Sequence, residues 1–328
     1  MYRCILVPLD GSPFGEHALP YAASIARRCG AVLHLTHVHL PPIVPSGAET
    51  AVLPPAWFEM TRDEKRTYLD ALGARVASTY GIRVETRLME GGVATALERH
   101  AMSCAAGLIV MSTHAHVGLS RLWHHGVADQ LSRDLPLPLL LVRPDTDVPP
   151  GEGEEEPRLT HFLLPLDGSE EAEGMVVHAT RLGKAVGARY TLMRVVQAEP
   201  ALGQSMLGQD ATLNQQRIHS DHTAARQYLN AVAERMRSSS LEVETEIVAA
   251  PDVAGAVIQR IRKGEGDARG RIDLVAIETH PRNAMSRLLF RGTTDTLVKE
   301  SPVPVLVFHQ SPVPTPQLAG AVGLATRG

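Results

Sequence analysis

Asp10 and Asp167 each stand between an apolar run and a Gly-Ser pair, in Val7-Pro8-Leu9-Asp10-Gly11-Ser12 and Leu164-Pro165-Leu166-Asp167-Gly168-Ser169. A carboxylate so placed can face a ligand. It can also simply build a turn, with aspartate bonding its own backbone, glycine taking the unusual dihedrals and serine capping the next helix. Histidines invite a metal reading at His34, His37 and His39, at His114 and His116, and at His124-His125. On a strand, however, His37 and His39 share a face while His34 points the other way, so they are no ready-made ligand set. Cys4, Cys29 and Cys104 lie on apolar stretches without metal spacing and are expected as small buried hydrophobes. No metal site is expected. The sequence holds no Gly-x-Ser-x-Gly elbow, no Walker A segment and no His-Glu-x-x-His helix. Gly183-Lys184 lacks the upstream glycine and the following hydroxyl of a phosphate loop. No catalytic residue is assigned, and an enzyme is not the expected class.

The elements that must position these residues repeat. The Asp-Gly-Ser segments recur at an offset of 157, whereas Thr113-His114, Ser120-Arg121-Leu122, Gly126 and Asp129 return as Thr279-His280, Ser286-Arg287-Leu288, Gly292 and Asp295 at an offset of 166. A period this long means two whole domains with nine extra residues in the second, expected within 263–271, where glycines interrupt any helix. Each half carries five short runs rich in Val, Ile and Leu, alternating with stretches of helical period, the pattern of βαβ units around a parallel sheet. In the first half the runs are Cys4 to Pro8, Ala31 to Val38, Ile82 to Met89, Leu108 to Ser112 and Leu139 to Val142; in the second they are Phe162 to Pro165, Tyr190 to Val196, Leu241 to Val248, Ile272 to Ile277 and Val303 to Phe308. Ser12 as N-cap, Pro13 as first helical residue and an apolar face through Ala18, Ala22, Ile25, Ala26 and Cys29 predict one helix after the first strand. The expected division is a first domain over 1–145, an acidic Pro/Gly linker over 146–157, a second domain over 158–310 and a flexible tail over 311–328. Proline-rich 41–56 and 197–211 are expected as long loops.

Composition bounds the partners. A formal charge of −4, with basic and acidic residues interleaved, gives no nucleic-acid footprint. No apolar run reaches the roughly 18 residues needed to cross a bilayer, so a cytoplasmic protein without membrane contact is expected.

The Val-Pro-Leu-Asp-Gly-Ser strand, the Ile-Val-Met-Ser-Thr-His strand, the Gly118-Leu119-Ser120-Arg121-Leu122 segment and the Pro136-Leu-Pro-Leu-Leu-Leu-Val strand, in this order and duplicated, resemble a tandem universal stress protein. The resemblance implies two Rossmann-like domains of the adenine nucleotide alpha hydrolase type. Each would be an open five-stranded parallel sheet of order 3-2-1-4-5 with helices on both faces, paired through the last strand.

In relatives of this kind that hold ATP, the resemblance implies Gly, two residues, Gly, nine residues, then Gly with Ser or Thr, after the fourth strand. Glycines let backbone N–H groups approach phosphates, and a helix N-terminus adds donors. The pattern falls on Ser112, Ala115, His125 and Gly126 in the first half, so its glycines are replaced. In the second half it falls on Glu278, Pro281, Arg291 and Gly292. Proline has no N–H to donate, and the Glu278 carboxylate would oppose an anion. Two unit charges about 4 Å apart interact by roughly 4 kcal/mol at an effective dielectric near 20. Asp10 and Asp167 occupy the position that lies against ribose and phosphate-bound metal in such relatives. The candidate nucleotide-binding residues are therefore Asp10, Ser112, Ala115 and Gly126, and more weakly Asp167 and Gly292. The expected function is a non-catalytic stress-response protein acting through dimerisation and contacts with other proteins, its nucleotide sites degenerate. The alternative is a stress-response switch that uses the first domain to bind ATP or slowly hydrolyse it.

Overall fold

The apolar runs become strands within two residues of the expected ends, because Val, Ile and Leu buried on both faces of a parallel sheet leave little room for another assignment. The computed structural model describes residues 1–39, 55–113, 127–144, 156–197, 208–266, 270–278 and 291–309. The first half runs β1 (Cys4–Leu9), α1 (Pro13–Glu16), α2 (Leu19–Cys29), β2 (Val32–His39), α3 (Pro55–Tyr80), β3 (Val84–Glu90), α4 (Val93–Ser103), β4 (Leu108–Ser112), α5 (Val127–Asp134) and β5 (Leu139–Val142). The second runs β6 (His161–Pro165), α6 (Glu170–Val186), β7 (Arg189–Gln197), α7 (Gly208–Arg237), β8 (Val243–Ala250), α8 (Val253–Lys263), β9 (Leu274–Glu278), α9 (Arg291–Glu300) and β10 (Val305–Phe308). Most of the two expected long loops, and most of the linker, lie outside the described residues.

Two expectations are corrected. The helix after β1 is broken into α1 and α2, although Ser12 caps it as expected, accepting from the Gly15 N–H at 3.3 Å. Pro20 lacks an N–H, and its ring would collide with the carbonyl four residues back, at Glu16. At the matching position of the second half stands Val177, and α6 is continuous. The extra residues of the second half are also spread more widely than expected. Val93 and Val253 open α4 and α8 at an offset of 160, while Leu108 and Leu274 open β4 and β9 at 166, so six lie between α8 and β9 and the others precede α8.

The strands form one ten-stranded sheet in the order β3-β2-β1-β4-β5-β10-β9-β6-β7-β8. Each half is parallel with order 3-2-1-4-5, and the halves join through the antiparallel pair of β5 with β10. Its register sets Leu139 against Val307, Leu140 against Leu306 and Leu141 against Val305. Alternation along the strands divides the apolar side chains between two cores. Ile5, Val7, Leu140, Phe162 and Leu306 pack toward α2, α3, α6 and α7. Leu6, Ile109, Leu139, Leu141, Val275 and Val307 pack on the other side, toward α4, α5, α8 and α9. Both cores continue across the seam. Burial of each such aliphatic side chain is worth about 1.5–3 kcal/mol against leaving it in water.

Contacts away from the sheet also tie the halves together. The Arg181 guanidinium lies 4.7 Å from the centre of the Tyr2 ring, and Arg28 Nη1 donates to the Val186 carbonyl at 3.4 Å. Glu156, expected to sit in a solvated linker, instead accepts from Ser24 Oγ at 2.8 Å and pairs with Arg27 and with Arg28 at 3.4 Å. Hydrogen bonds from Ser24 and Arg27 hold its carboxyl below the usual carboxylate range.

Candidate functional site

Within each half the winding of the sheet reverses between the first and fourth strands, at β1 and β4 and again at β6 and β9. In open α/β sheets the crevice outside the carboxyl ends of the strands at this switch is where ligands bind. Asp10 and Ser112 lie there in the first half, and Asp167 and Glu278 in the second.

Asp10 and Asp167 sit in turns with the same hydrogen bonds. Asp10 Oδ1 accepts from the Ser12 N–H at 2.9 Å and from Ser12 Oγ at 2.6 Å; Asp167 Oδ1 accepts from the Ser169 N–H at 2.9 Å and from Ser169 Oγ at 2.5 Å. Gly11 and Gly168 take φ of +82° and +89°, a region costly for any residue with a Cβ. Ser112, at the end of β4, is 7% exposed, and its hydroxyl donates to the Gly15 carbonyl at 3.3 Å, tying α1 to the sheet. A Cβ on Gly15 would come within 2.8 Å of Asp10 Oδ1, so glycine there lets the helix approach the aspartate. Ala115, His125, Gly126 and Pro281 lie outside the described residues. Gly292 lies in the first turn of α9, exposed, with open space around its Cα.

Sequence reasoning missed several neighbours of the aspartates. His37, at the end of β2, shares a hydrogen bond with the Leu9 carbonyl through Nδ1 at 2.9 Å, and burial lowers its pKa, favouring the neutral imidazole. Lys65 reaches over the same turn, its Nζ 3.0 Å from where a Gly11 Cβ would stand. The counterpart of His37 at offset 157 is Arg194, whose Nη1 donates to the Leu166 carbonyl at 3.2 Å. A crevice in the second half is lined by Leu166, Asp167, Ala172, Arg194, Val253 and Glu278, and Glu278 is only 5% exposed. The repeat offset was the signal that could have paired His37 with Arg194. A second repeated arrangement flanks both turns: Tyr68 donates to Glu16 at 2.9 Å beside Arg75, and Arg235 pairs with Glu173 at 2.6 Å near Tyr228. Burial pushes the Tyr228 phenol up to about 12. Gly183 of the Gly183-Lys184 pair has a packing role, since any Cβ there would run into the Tyr190 ring.

Known proteins agree with this architecture. A solved universal stress protein from Archaeoglobus fulgidus superposes with a TM-score of 0.65 at 14% identity, covering 94% of this chain and 96% of that one, a likeness of fold. A universal stress protein of Methanocaldococcus jannaschii is 28% identical over 147 residues, 44% of this chain and 83% of that protein. One from Bacillus subtilis is 28% identical over 148 residues, 44% of this chain and the full length of that protein. The model of the universal stress protein family matches residues 1–143 and again 159–309. With the motif matched twice and the fold repeated about an antiparallel seam, the chain belongs to the universal stress protein family and carries two of its domains in tandem.

Proposed function

We propose that this protein acts in stress response as a non-catalytic binding protein, through self-association and contacts with protein partners, with degenerate nucleotide sites in both halves. The observation that carries this reading is a side chain where the phosphate loop would have a bare glycine: the Ser112 hydroxyl stands at the end of β4 and bonds the Gly15 carbonyl, fastening α1. Asp10 and Asp167 engage their own turns in the same way. In the second half the buried Glu278 carboxylate, beside Asp167, opposes any polyphosphate. On this reading the domains span 1–145 and 158–310, joined by 146–157 and followed by a tail over 311–328. The two halves act as an internal pseudo-dimer, whole chains pair into a homodimer, and the protein works in the cytoplasm. No helix among the described residues is long and apolar enough to cross a membrane.

One observation favours the alternative, an ATP-binding switch in the first half. Lys65 stands over Gly11 beside Asp10, where a cation would face a phosphate or the carboxylate would face its metal. The candidate ligands are then Asp10, Ser112, Ala115 and Gly126, with Asp167 and Gly292 as the weaker set in the second half.

The deciding experiment is acid release of small molecules from the purified full-length chain, followed by chromatography, together with calorimetric titration with ATP and magnesium. Little or no adenine nucleotide and no heat at micromolar ATP are expected. A stoichiometric nucleotide would overturn the degenerate-site reading in favour of the switch.

A further inference from the structure

The face of the sheet opposite His37 gathers a different set of groups. Cys4 on β1 and His34 on β2 lie on the α4 side, Leu6 being the register partner of His34. On α4, His100 and the cap residue Cys104 are four positions apart and so share one helix face. The donor atoms of Cys4, His34 and Cys104 all lie within 4.8 Å of one another. His100 stands at the edge of this group, its Nε2 3.2 Å from His34 Nδ1. The two sulfurs are 2.8 Å apart and the cysteines are free.

We propose that Cys4, His34, His100 and Cys104 form a binding site for a thiophilic divalent cation of the zinc type. Two thiolates and two imidazoles are the donor set that such a cation takes in tetrahedral geometry, with bonds of about 2.3 Å to sulfur and about 2.0–2.1 Å to nitrogen. Those bond lengths place donors about 3.3–3.8 Å apart, so binding needs the sulfurs to open by about 1 Å and the His100 ring, which stands outside the compact group of Cys4, His34 and Cys104, to swing toward them. His34 turns Nδ1 toward His100 while its Nε2 faces Glu85 at 3.7 Å, a carboxylate placed to orient a ligating imidazole. Cys4 and His34 are 3% and 8% exposed, which limits competition from water, while the partly exposed Cys104 leaves a path in from the rim.

The second half is the internal comparison. The matching positions are His161, Thr191, Arg260 and Gly264. There His161 engages the Arg271 carbonyl at 2.9 Å and Thr191 Oγ1 at 2.8 Å, and Arg260 Nε donates to Glu246 at 2.7 Å. The same niche is closed by hydrogen bonds in one half and lined with metal-ligand atoms in the other. A cation in the first half would pin α4 to β1 and β2.

Cobalt(II) titration of the reduced, chelator-stripped full-length chain tests this. One equivalent is expected to give the thiolate-to-cobalt charge-transfer band and the intense visible bands of a tetrahedral site, and zinc is expected to displace it. Cys4→Ser/Cys104→Ser should abolish the bands, His100→Ala should weaken binding at least tenfold, and Cys29→Ser should leave it unchanged. Cobalt held by other histidines of the chain lacks the thiolate band. A wild-type chain without that band overturns the proposal whatever the variants do. So do bands that survive the double substitution, or a reduced wild-type chain whose cysteines form a Cys4–Cys104 disulfide in air equally fast with and without zinc.

Discussion

Leu140 lies directly opposite Leu306 across the antiparallel seam, and the two are the same residue of the repeat, 166 positions apart. A pseudo-twofold axis therefore passes between them, and both are fully buried. Leu140→Ala and Leu306→Ala are each expected to cost about 2–5 kcal/mol. The double variant should depart from additivity by about 0.5–3 kcal/mol, because the two side chains share one cavity. Urea unfolding of the four proteins is the measurement, and strict additivity would argue against direct coupling at the seam.

Gly183→Ala should destabilise the second half by about 1–3 kcal/mol, since an added methyl meets the Tyr190 ring rather than open space. Gly187→Ala is a poor control because its φ is +73°. Lys184→Ala is a better one, and is expected to leave the melting temperature nearly unchanged if the Gly-Lys pair serves packing alone.

His161 and His178 are each held down to about 4 by burial, with nearby arginines adding to the effect. An unfolded histidine titrates near 6.5. Between about pH 6.5 and 4 the unfolded chain therefore binds protons that the folded chain refuses, so stability is full above that window and falls as pH drops through it. Solvent screening brings the loss below the ~3 kcal/mol per histidine that the full shift would give. His161→Gln should flatten the stability-against-pH curve between pH 6.5 and 4, as followed by chemical denaturation. An unchanged slope would mean that His161 is not the group responsible.

Changing Ser112, Ala115 and His125 to glycine together with Gly126→Ser restores the phosphate-loop pattern and is expected to raise ATP affinity at least about tenfold, or ~1.4 kcal/mol. Ser112→Ala alone should cost about 0.5–1.5 kcal/mol of stability through the lost bond to Gly15 and leave ATP binding as it was. Glu278→Gly alone is expected to stay inert, since Pro281 still lacks a donor. Calorimetry on the full chain checks all three, and a gain of ATP binding in Glu278→Gly would reverse the assigned asymmetry between the halves.

Strands were legible because runs such as Leu139 to Val142, buried on both faces, admit few other conformations, and because the repeat states each of them twice. The break at Pro20 was missed because a convincing apolar face ran through it from Ala18 to Ala26. The turns at Asp10 and Asp167 were readable from their residue types alone. Where a hydroxyl points was not: the partner of Ser112 lies 97 residues earlier, at Gly15. Cys4 and Cys104 escaped spacing rules for the same reason, since a β-strand and a helix end brought together by the fold leave no local pattern.

The seam has an evolutionary reading. Where two identical chains pair, every substitution appears on both sides of the axis, and the two sites must change in step. Here the pairing surfaces belong to one polypeptide, held at a high effective concentration whatever the amount of protein present. Each half is thereby released from its twin. His37 can have Arg194 as its counterpart, and a cysteine-histidine cluster a hydrogen-bonded histidine, without either arrangement being imposed on the other half. The chain keeps the symmetry of a dimer in its backbone while its side chains are free to divide the work.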